Sequence, residues 1–212
     1  KDPSKAYAFT IKSNSVAVVT DGSAVLGLGN LGPTAALPVM EGKVMLFKEL
    51  AGIDAWPICV STQDPDEIIR IVRGIAPGFG GINLEDISAP RCFEIERALK
   101  TSLDIPVMHD DQHGTAVVLL AALTNALKVV GKRMEDVRIV VNGLGAAGTA
   151  CCRILLAAGA SHLIGCDKEG IVLRGDAEEL RACRTDLQAC IRRDQPRGTL
   201  HEALKGTDVF IG

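Results

Sequence analysis

Aromatic residues are scarce. Phe, Trp and Tyr make up 3% of the 212 residues, with one Trp and one Tyr among them. The core must therefore be built from Ala, Val, Leu and Ile, as in parallel sheets covered by helices. Basic patches are missing too: net charge is -3 and no basic stretch is interleaved with aromatics, which argues against a nucleic-acid partner. The opening run KDPSKAYAFT has neither the basic start nor the apolar stretch of a signal peptide. The longest apolar run, Thr115 to Leu123, falls short of the ~20 residues that cross a bilayer. A cytoplasmic location without a membrane partner is the expectation. No C-x-x-C pair occurs. The seven cysteines are odd in number and lie mostly in apolar segments, which reads as small hydrophobes in a reducing compartment. Internal repeats and low-complexity stretches are absent.

Glycine, by contrast, is plentiful at 22 residues and clusters where strands are expected to end. Segment 17–29, AVVTDGSAVLGLG, reads as two short strands around an Asp21-Gly22 turn. A helix is predicted over 38–51, a strand over 57–61, and then a helix capped by Asp64 or Asp66. GGINLED (80–86) reads as a strand, Pro90 as the opening of a helix, and IPVMHDD (105–111) as a strand. A long helix comes next, from about His113 to Val130, with Gly131 as its stop. The second half offers strand 137–143, a small-residue helix from Gly145 to Ala158, and strand 162–167. A hairpin-like GIVLRGD, a polar helix over 176–193, helix LHEALKG and strand TDVFIG complete it. This rhythm predicts an α/β fold with a parallel sheet in each half. The expected division is an N-terminal substrate and metal domain over 1–131 and a Rossmann-type dinucleotide-binding domain over 132–212. Such a domain normally has about six strands and only about half of them are readable here, so the expectation is a chain cut at both ends.

The pattern G-x-G-x-x-G occurs twice. The first copy, Gly27 to Gly32, is followed by Pro33 and Pro38, which no uninterrupted helix starting at Gly29 should run through. The second, Gly143-Leu144-Gly145-Ala146-Ala147-Gly148, succeeds a clear strand and opens a clear helix, and the next strand ends at Asp167. Here Gly143 makes the turn, Gly145 admits the pyrophosphate and Gly148 lets helix and strand pack closely. The helix N-terminus offers N–H groups to phosphate. Asp167 can accept from both ribose hydroxyls, which favours NAD. Lys168 beside it could instead receive a 2'-phosphate, which leaves NADP open.

Two acidic doublets, Glu85-Asp86 and Asp110-Asp111, stand at the predicted carboxyl ends of strands, where open α/β sheets bind ligands. Adjacent like charges cost energy unless water or a cation screens them. Hard oxygen donors select Mg²⁺ or Mn²⁺. Asp111 could also cap the next helix, and His109 and His113 could contribute a nitrogen ligand or hydrogen-bond locally. Three ligands are expected, with the fourth carboxylate left for substrate. On a helical wheel, Val39, Met40, Val44, Leu46, Phe47 and Leu50 share one arc, opposite Glu41, Lys48 and Glu49. Lys43 lies inside the apolar arc. It is either a snorkelling lysine or a group facing the metal, as a general base with a lowered pKa or as a carboxylate binder.

The assembled set resembles the malic enzymes, in their shorter bacterial form. The runs AVVTDGSAVLGLGNLG, PVMEGKVMLFKELAGID, FGGINLEDISAPRCFEIE, IPVMHDDQHGTAVV, VVNGLGAAGTA and GTDVFIG carry the resemblance along nearly the whole chain. It implies Glu85, Asp86 and Asp111 as metal ligands, Asp110 as the carboxylate beside the substrate, and Lys43 as the catalytic lysine. It also implies L-malate and pyruvate as substrate and product, NAD or NADP as cofactor, and a homodimer or larger assembly. The family's acid is a tyrosine in a Y-T-P-G-V-type segment. Tyr7 lies in SKAYAFT, a different stretch, so that acid is expected upstream of residue 1. Ser23, Ala24 and Val25 stand where some members carry a substrate-gripping arginine. Malolactic enzyme, which makes lactate, and a catalytically silent relative are the competing expectations.

Overall fold

The computed structural model describes residues 2–25, 27–172 and 197–212. The chain divides into two compact units, Lys1–Asp110 and Asp111–Gly212. The division falls at the start of the long helix, whereas the sequence pattern places the boundary after that helix, at 131.

The first unit contains α1 (Lys5–Phe9), β1 (Ser15–Thr20), α2 (Pro33–Ala51), β2 (Asp54–Cys59), α3 (Pro65–Ile75), β3 (Gly81–Leu84), α4 (Arg91–Ser102) and β4 (Val107–His109). Its four strands are parallel in the order β2-β1-β3-β4. Central strands β1 and β3 are buried along almost their whole length, as apolar runs covered on both faces should be. From β1 the chain goes first to β2 on one side and then crosses to β3 on the other. That reversal makes the carboxyl end of β1 a switch point, where a crevice opens for ligands.

Two expectations for this unit change. Among the described residues no second strand follows Asp21-Gly22, and Val25 makes an isolated bridge to Gly29. The chain folds onto its own glycine loop instead. Leu31 and Gly32 both donate backbone N–H groups to the Gly22 carbonyl, and a Cβ on Gly22 would sit 2.3 Å from the Gly32 oxygen. Helix α2 also starts five residues before the predicted Pro38. Pro33 occupies the first turn, where its missing N–H costs nothing, and Pro38 is carried inside the helix. Ala36 and Met40 form the buried stripe of α2, and Met40, Val44 and Phe47 pack with Val18 of β1 and Ala55 of β2. Leu46 and Leu50, on the apolar arc of the wheel, are exposed.

The long helix α5 (Asp110–Val130) leads into the second unit, which continues with β5 (Arg138–Asn142), α6 (Ala146–Ala157), β6 (His162–Asp167), β7 (Gly170–Ile171), α7 (Leu200–Ala203) and β8 (Val209–Ile211). Helix α5 begins three residues before the predicted His113, so Asp110 and Asp111 open a helix instead of closing a strand. Acidic side chains suit a first turn, where the helix dipole is positive. Its length and composition are those of a membrane span, yet Leu123 and Leu127 pack with Val137, Ile139, Val141 and Leu155 in the core of an α/β layer. The sheet order is β7-β6-β5-β8, with β6, β5 and β8 parallel and β7 an antiparallel edge. The parallel sheets expected in each half are therefore present. The predicted helix over 176–193, and the GIVLRGD segment beyond Val172, lie outside the described residues.

Helix caps are written in side chains. Asp64 accepts hydrogen bonds from the N–H groups of Asp66 and Glu67 at the start of α3, which settles the choice between Asp64 and Asp66. Thr199 and Glu202 close a reciprocal capping box on α7. Replacing Asp64 by Ala is expected to cost about 1 kcal/mol. The check is the urea midpoint of unfolding, which should fall with no change in the slope.

Candidate functional site

The carboxyl edge of the first sheet gathers the acidic residues. The β1–β3 pairing extends one step past the strand, because the Glu85 N–H donates to the Val19 carbonyl at 2.9 Å. Glu85 and Asp86 are both buried, at 8% and 2% exposure. Asn83 lies two residues before Glu85 and so shares its face of the strand; its amide donates to Glu85 Oε2 at 2.7 Å. Asp86 carries a left-handed backbone, φ 53, a conformation rare outside glycine. Its carbonyl accepts from the Ala24 N–H at 2.9 Å. On the neighbouring strand, Leu84 is in register with His109, so Asp110 emerges beside Glu85.

Lys43 reaches this edge from the middle of α2. Its Nζ lies 2.5 Å from Asp110 Oδ2 and 3.2 Å from Glu85 Oε2. The wheel thus places Lys43 on the right face, but its charge state differs from the expectation. Burial pulls its pKa down. The hydrogen bond to Asp110 and the charges of Glu85 and Asp110 outweigh burial and hold it above the ordinary 10.5. Lys43 is a charged clasp between two carboxylates. Anything that neutralises those carboxylates leaves burial as the dominant influence and favours the neutral amine.

Asp111 comes directly after Asp110 in the same helical turn, inside the helix and past its cap position. One carboxylate oxygen from each of Glu85, Asp86 and Asp111 lies within 4.8 Å of the others. Three hard oxygen donors converging in one place, two of them from buried residues, match the donor chemistry of Mg²⁺ or Mn²⁺. Asp110 stands outside this trio and faces Lys43. Neither His109 nor His113 belongs to a potential ligand group among the described residues. His109 ends β4, fully buried, and its backbone N–H donates to Glu96 Oε1 at 3.1 Å.

In the second unit, the Gly143–Gly148 turn lies at the carboxyl end of β5. That strand is flanked by β6 on one side and β8 on the other, which is again the switch point. Gly143 adopts φ 101, a conformation that favours glycine. A Cβ on Gly148 would sit 1.9 Å from the Gly143 oxygen, so the close helix–strand packing requires glycine there. Gly145 caps α6 without a side-chain hydrogen bond, and Ala146 and Ala147 place their backbone N–H groups in the first turn of the helix. Asp167 ends β6 half-buried, with one oxygen accepting from the Glu169 N–H at 2.8 Å. The Lys168 side chain is 89% exposed. In the first copy of the pattern the glycines close a loop on Gly22, and the helix waits until Pro33.

Profiles described as "Malic enzyme, N-terminal domain" and "Malic enzyme, NAD binding domain" match residues 4–100, in two overlapping segments, and 112–181 respectively. The chain belongs to the malic enzyme family. It is 61% identical to an NAD-dependent malic enzyme of Geobacillus stearothermophilus, with all of this chain and 44% of that protein aligned. It is 49% identical to an NADP-dependent malic enzyme of Escherichia coli, covering all of this chain and 28% of that protein. The crystal structure of an NAD-dependent malic enzyme from Thermotoga maritima superposes with a TM-score of 0.94 at 51% identity, covering all of this chain and 56% of that one. The chain thus spans about half or less of these relatives. It carries the family's two-part α/β fold, with a Rossmann-type nicotinamide dinucleotide-binding domain.

Sequence reasoning missed Asn83. The period-2 pattern of the strand could have found it, since it puts Asn83 and Glu85 on one face. It also missed Arg91, which in the sequence is only part of the helix that Pro90 opens.

The Lys43 clasp gives a signed expectation. Replacing Asp110 by Asn removes a hydrogen bond and a charge that both raise the Lys43 pKa, so that pKa should drop. The pH dependence of Lys43 reductive methylation, followed by NMR, reads it directly. A raised folded pKa also means the clasp stabilises the fold at every pH below the unfolded value near 10.5, and the contribution is lost only as pH climbs through the raised value.

Proposed function

We propose that this chain belongs to an enzyme that oxidatively decarboxylates L-malate to pyruvate and CO₂, reducing NAD or NADP with the help of a divalent cation. The observation that carries the reading is the contact of Lys43 with both Asp110 and Glu85, at the edge where Glu85, Asp86 and Asp111 converge. Those three carboxylates would hold Mg²⁺ or Mn²⁺, which when bound supplies Lewis-acid polarisation of an α-hydroxy acid and of the ketone derived from it.

The chain's own residues divide the remaining tasks. Lys43 takes the proton of the malate hydroxyl, directly or through Asp110, as a general base. Its burial favours the neutral amine once the carboxylate charge is offset. Asp110, outside the ligand trio, lies close enough to Lys43 to relay that proton. The turn from Gly143 through Ala146 and Ala147 to Gly148 receives the pyrophosphate on backbone N–H groups. Asp167 accepts from the ribose, which favours NAD; Lys168, at the surface beside it, keeps NADP in play. The assembly is a homodimer or larger, and the enzyme works in the cytoplasm.

A cofactor-reduction assay on the full-length protein, with malate, Mn²⁺ and either NAD or NADP, is expected to show malate-dependent absorbance of the reduced cofactor. Malate consumption without net reduction would replace this reading with a malolactic one, and no consumption at all would remove it. Lys43→Ala should lower kcat by about a hundredfold or more, and normal turnover in that variant would dismiss Lys43 as the base. Titrating Mn²⁺ into wild type and Asp111→Ala should show clearly weaker binding in the variant; equal affinity would sink the ligand assignment.

A further inference from the structure

A closed ring of polar contacts stands immediately beside the Glu85-Asp86 doublet and is used by none of the steps above. Asp21, fully buried just past β1, accepts at Oδ1 from the Ser23 N–H at 2.9 Å and from the Ser23 hydroxyl at 2.6 Å. The Ser23 hydroxyl oxygen in turn accepts from the Ser88 N–H at 2.9 Å. Arg91, at the start of α4, donates to the Ser88 hydroxyl at 2.9 Å, and the same nitrogen lies 3.2 Å from Asp21 Oδ2 as an ion pair outside hydrogen-bonding geometry. Its other guanidinium nitrogen donates to the Gln63 carbonyl, and the Gln63 side chain exchanges two hydrogen bonds with Asn30 of the glycine loop. The ring therefore ties three loops at the carboxyl edge of the sheet into one body.

Asp86 is tied to it through the backbone. Ser88 is two residues downstream, and Ala24, next to Ser23, donates to the Asp86 carbonyl. Such support favours the Asp86 backbone, because the left-handed region is uncommon outside glycine even though Asp and Asn enter it more readily than other residues. We propose that Arg91 and Asp21, through Ser23 and Ser88, are positioning residues that lock the 86–88 turn and so aim the Asp86 carboxylate at Glu85 and Asp111. This rests on the metal reading above. Arg suits this place because one guanidinium donates to a hydroxyl and to a carbonyl from different nitrogens while setting its charge beside a carboxylate, which a lysine ammonium on a flexible stem does not reproduce.

The test uses full-length protein without substrate, with Mn²⁺ affinity read from the free-ion electron paramagnetic resonance signal and exchange of the Ala24 amide read by hydrogen–deuterium exchange. Arg91→Met and Asp21→Asn are each expected to weaken Mn²⁺ binding by about tenfold or more, the range seen when partners of metal ligands are removed. Ala24 exchange should quicken in both. The double variant should bind no worse than the weaker single one, because either change opens the ring. Arg91→Lys should restore less than half of the lost affinity on a logarithmic scale. Ser88→Ala and Ser23→Ala give smaller losses in the same direction, and they serve if removing a buried charge partner unfolds the protein. Lys48→Met, which breaks an exposed pair with Asp54 elsewhere in the unit, is the control and should leave affinity unchanged. If wild type binds Mn²⁺ and folded Arg91→Met and Ser88→Ala bind it within twofold of wild type, the positioning role is overturned while the metal reading stands. If wild type itself binds no Mn²⁺, both are overturned.

Discussion

Like charges repel, and the parallel register of one four-stranded sheet forces four carboxylates to the same edge. Leu84 pairs with Val19 on one side and with His109 on the other, so the residues just past these strands emerge together. Those residues are Glu85-Asp86 and Asp110-Asp111. In water such neighbours are cheap, but two of these residues are buried, where the Coulomb penalty rises as the effective dielectric falls. The surrounding features answer that penalty. Lys43 is brought into the apolar stripe of a helix to clasp two of the acids, Asn83 donates to one of the same two, Glu85, and three of the carboxylates converge as a cation would require.

The two glycine patterns show how one string of letters serves two ends. After Gly148 a helix is already under way, and the turn before it stands at the switch point of its sheet. After Gly32 a proline opens the helix, and the preceding glycines are committed to closing the chain on Gly22. The difference lies in what surrounds each pattern, which is why the flanking strand and prolines are enough to tell them apart.

Much of the fold is legible in the sequence because its signals are local. Strand β6 begins and ends where the apolar run HLIGCD does, and the parallel arrangement comes from alternating strands and helices. Two of the departures fall at helix starts. Pro33 looks like a breaker and Asp110-Asp111 like a strand's end, yet both residue types are welcome in a first helical turn. The site is legible in its carboxylates and in the facing of Lys43, since periodicity reports direction. Charge state is hidden: two acids distant in sequence, Glu85 and Asp110, decide that Lys43 keeps its proton. Asp21, Ser23, Gln63, Ser88 and Arg91 stay hidden for the same reason. Each is an ordinary loop or cap residue alone, and only long-range pairing gives them a common task.

The left-handed backbone of Asp86 sets a trade-off at a single position. Glycine is the residue that would relax that conformation and raise the stability of the turn, but it would delete a carboxylate from the trio. Asparagine tolerates the conformation and keeps the shape, but gives up the charge. No side chain offers both relief and a full negative charge at so short a reach. An effort to make this protein more robust by consensus or backbone optimisation would therefore find an apparent gain at residue 86 that trades a carboxylate of the trio for ease of folding. Position 86 is where foldability and chemistry draw on the same residue in opposite directions.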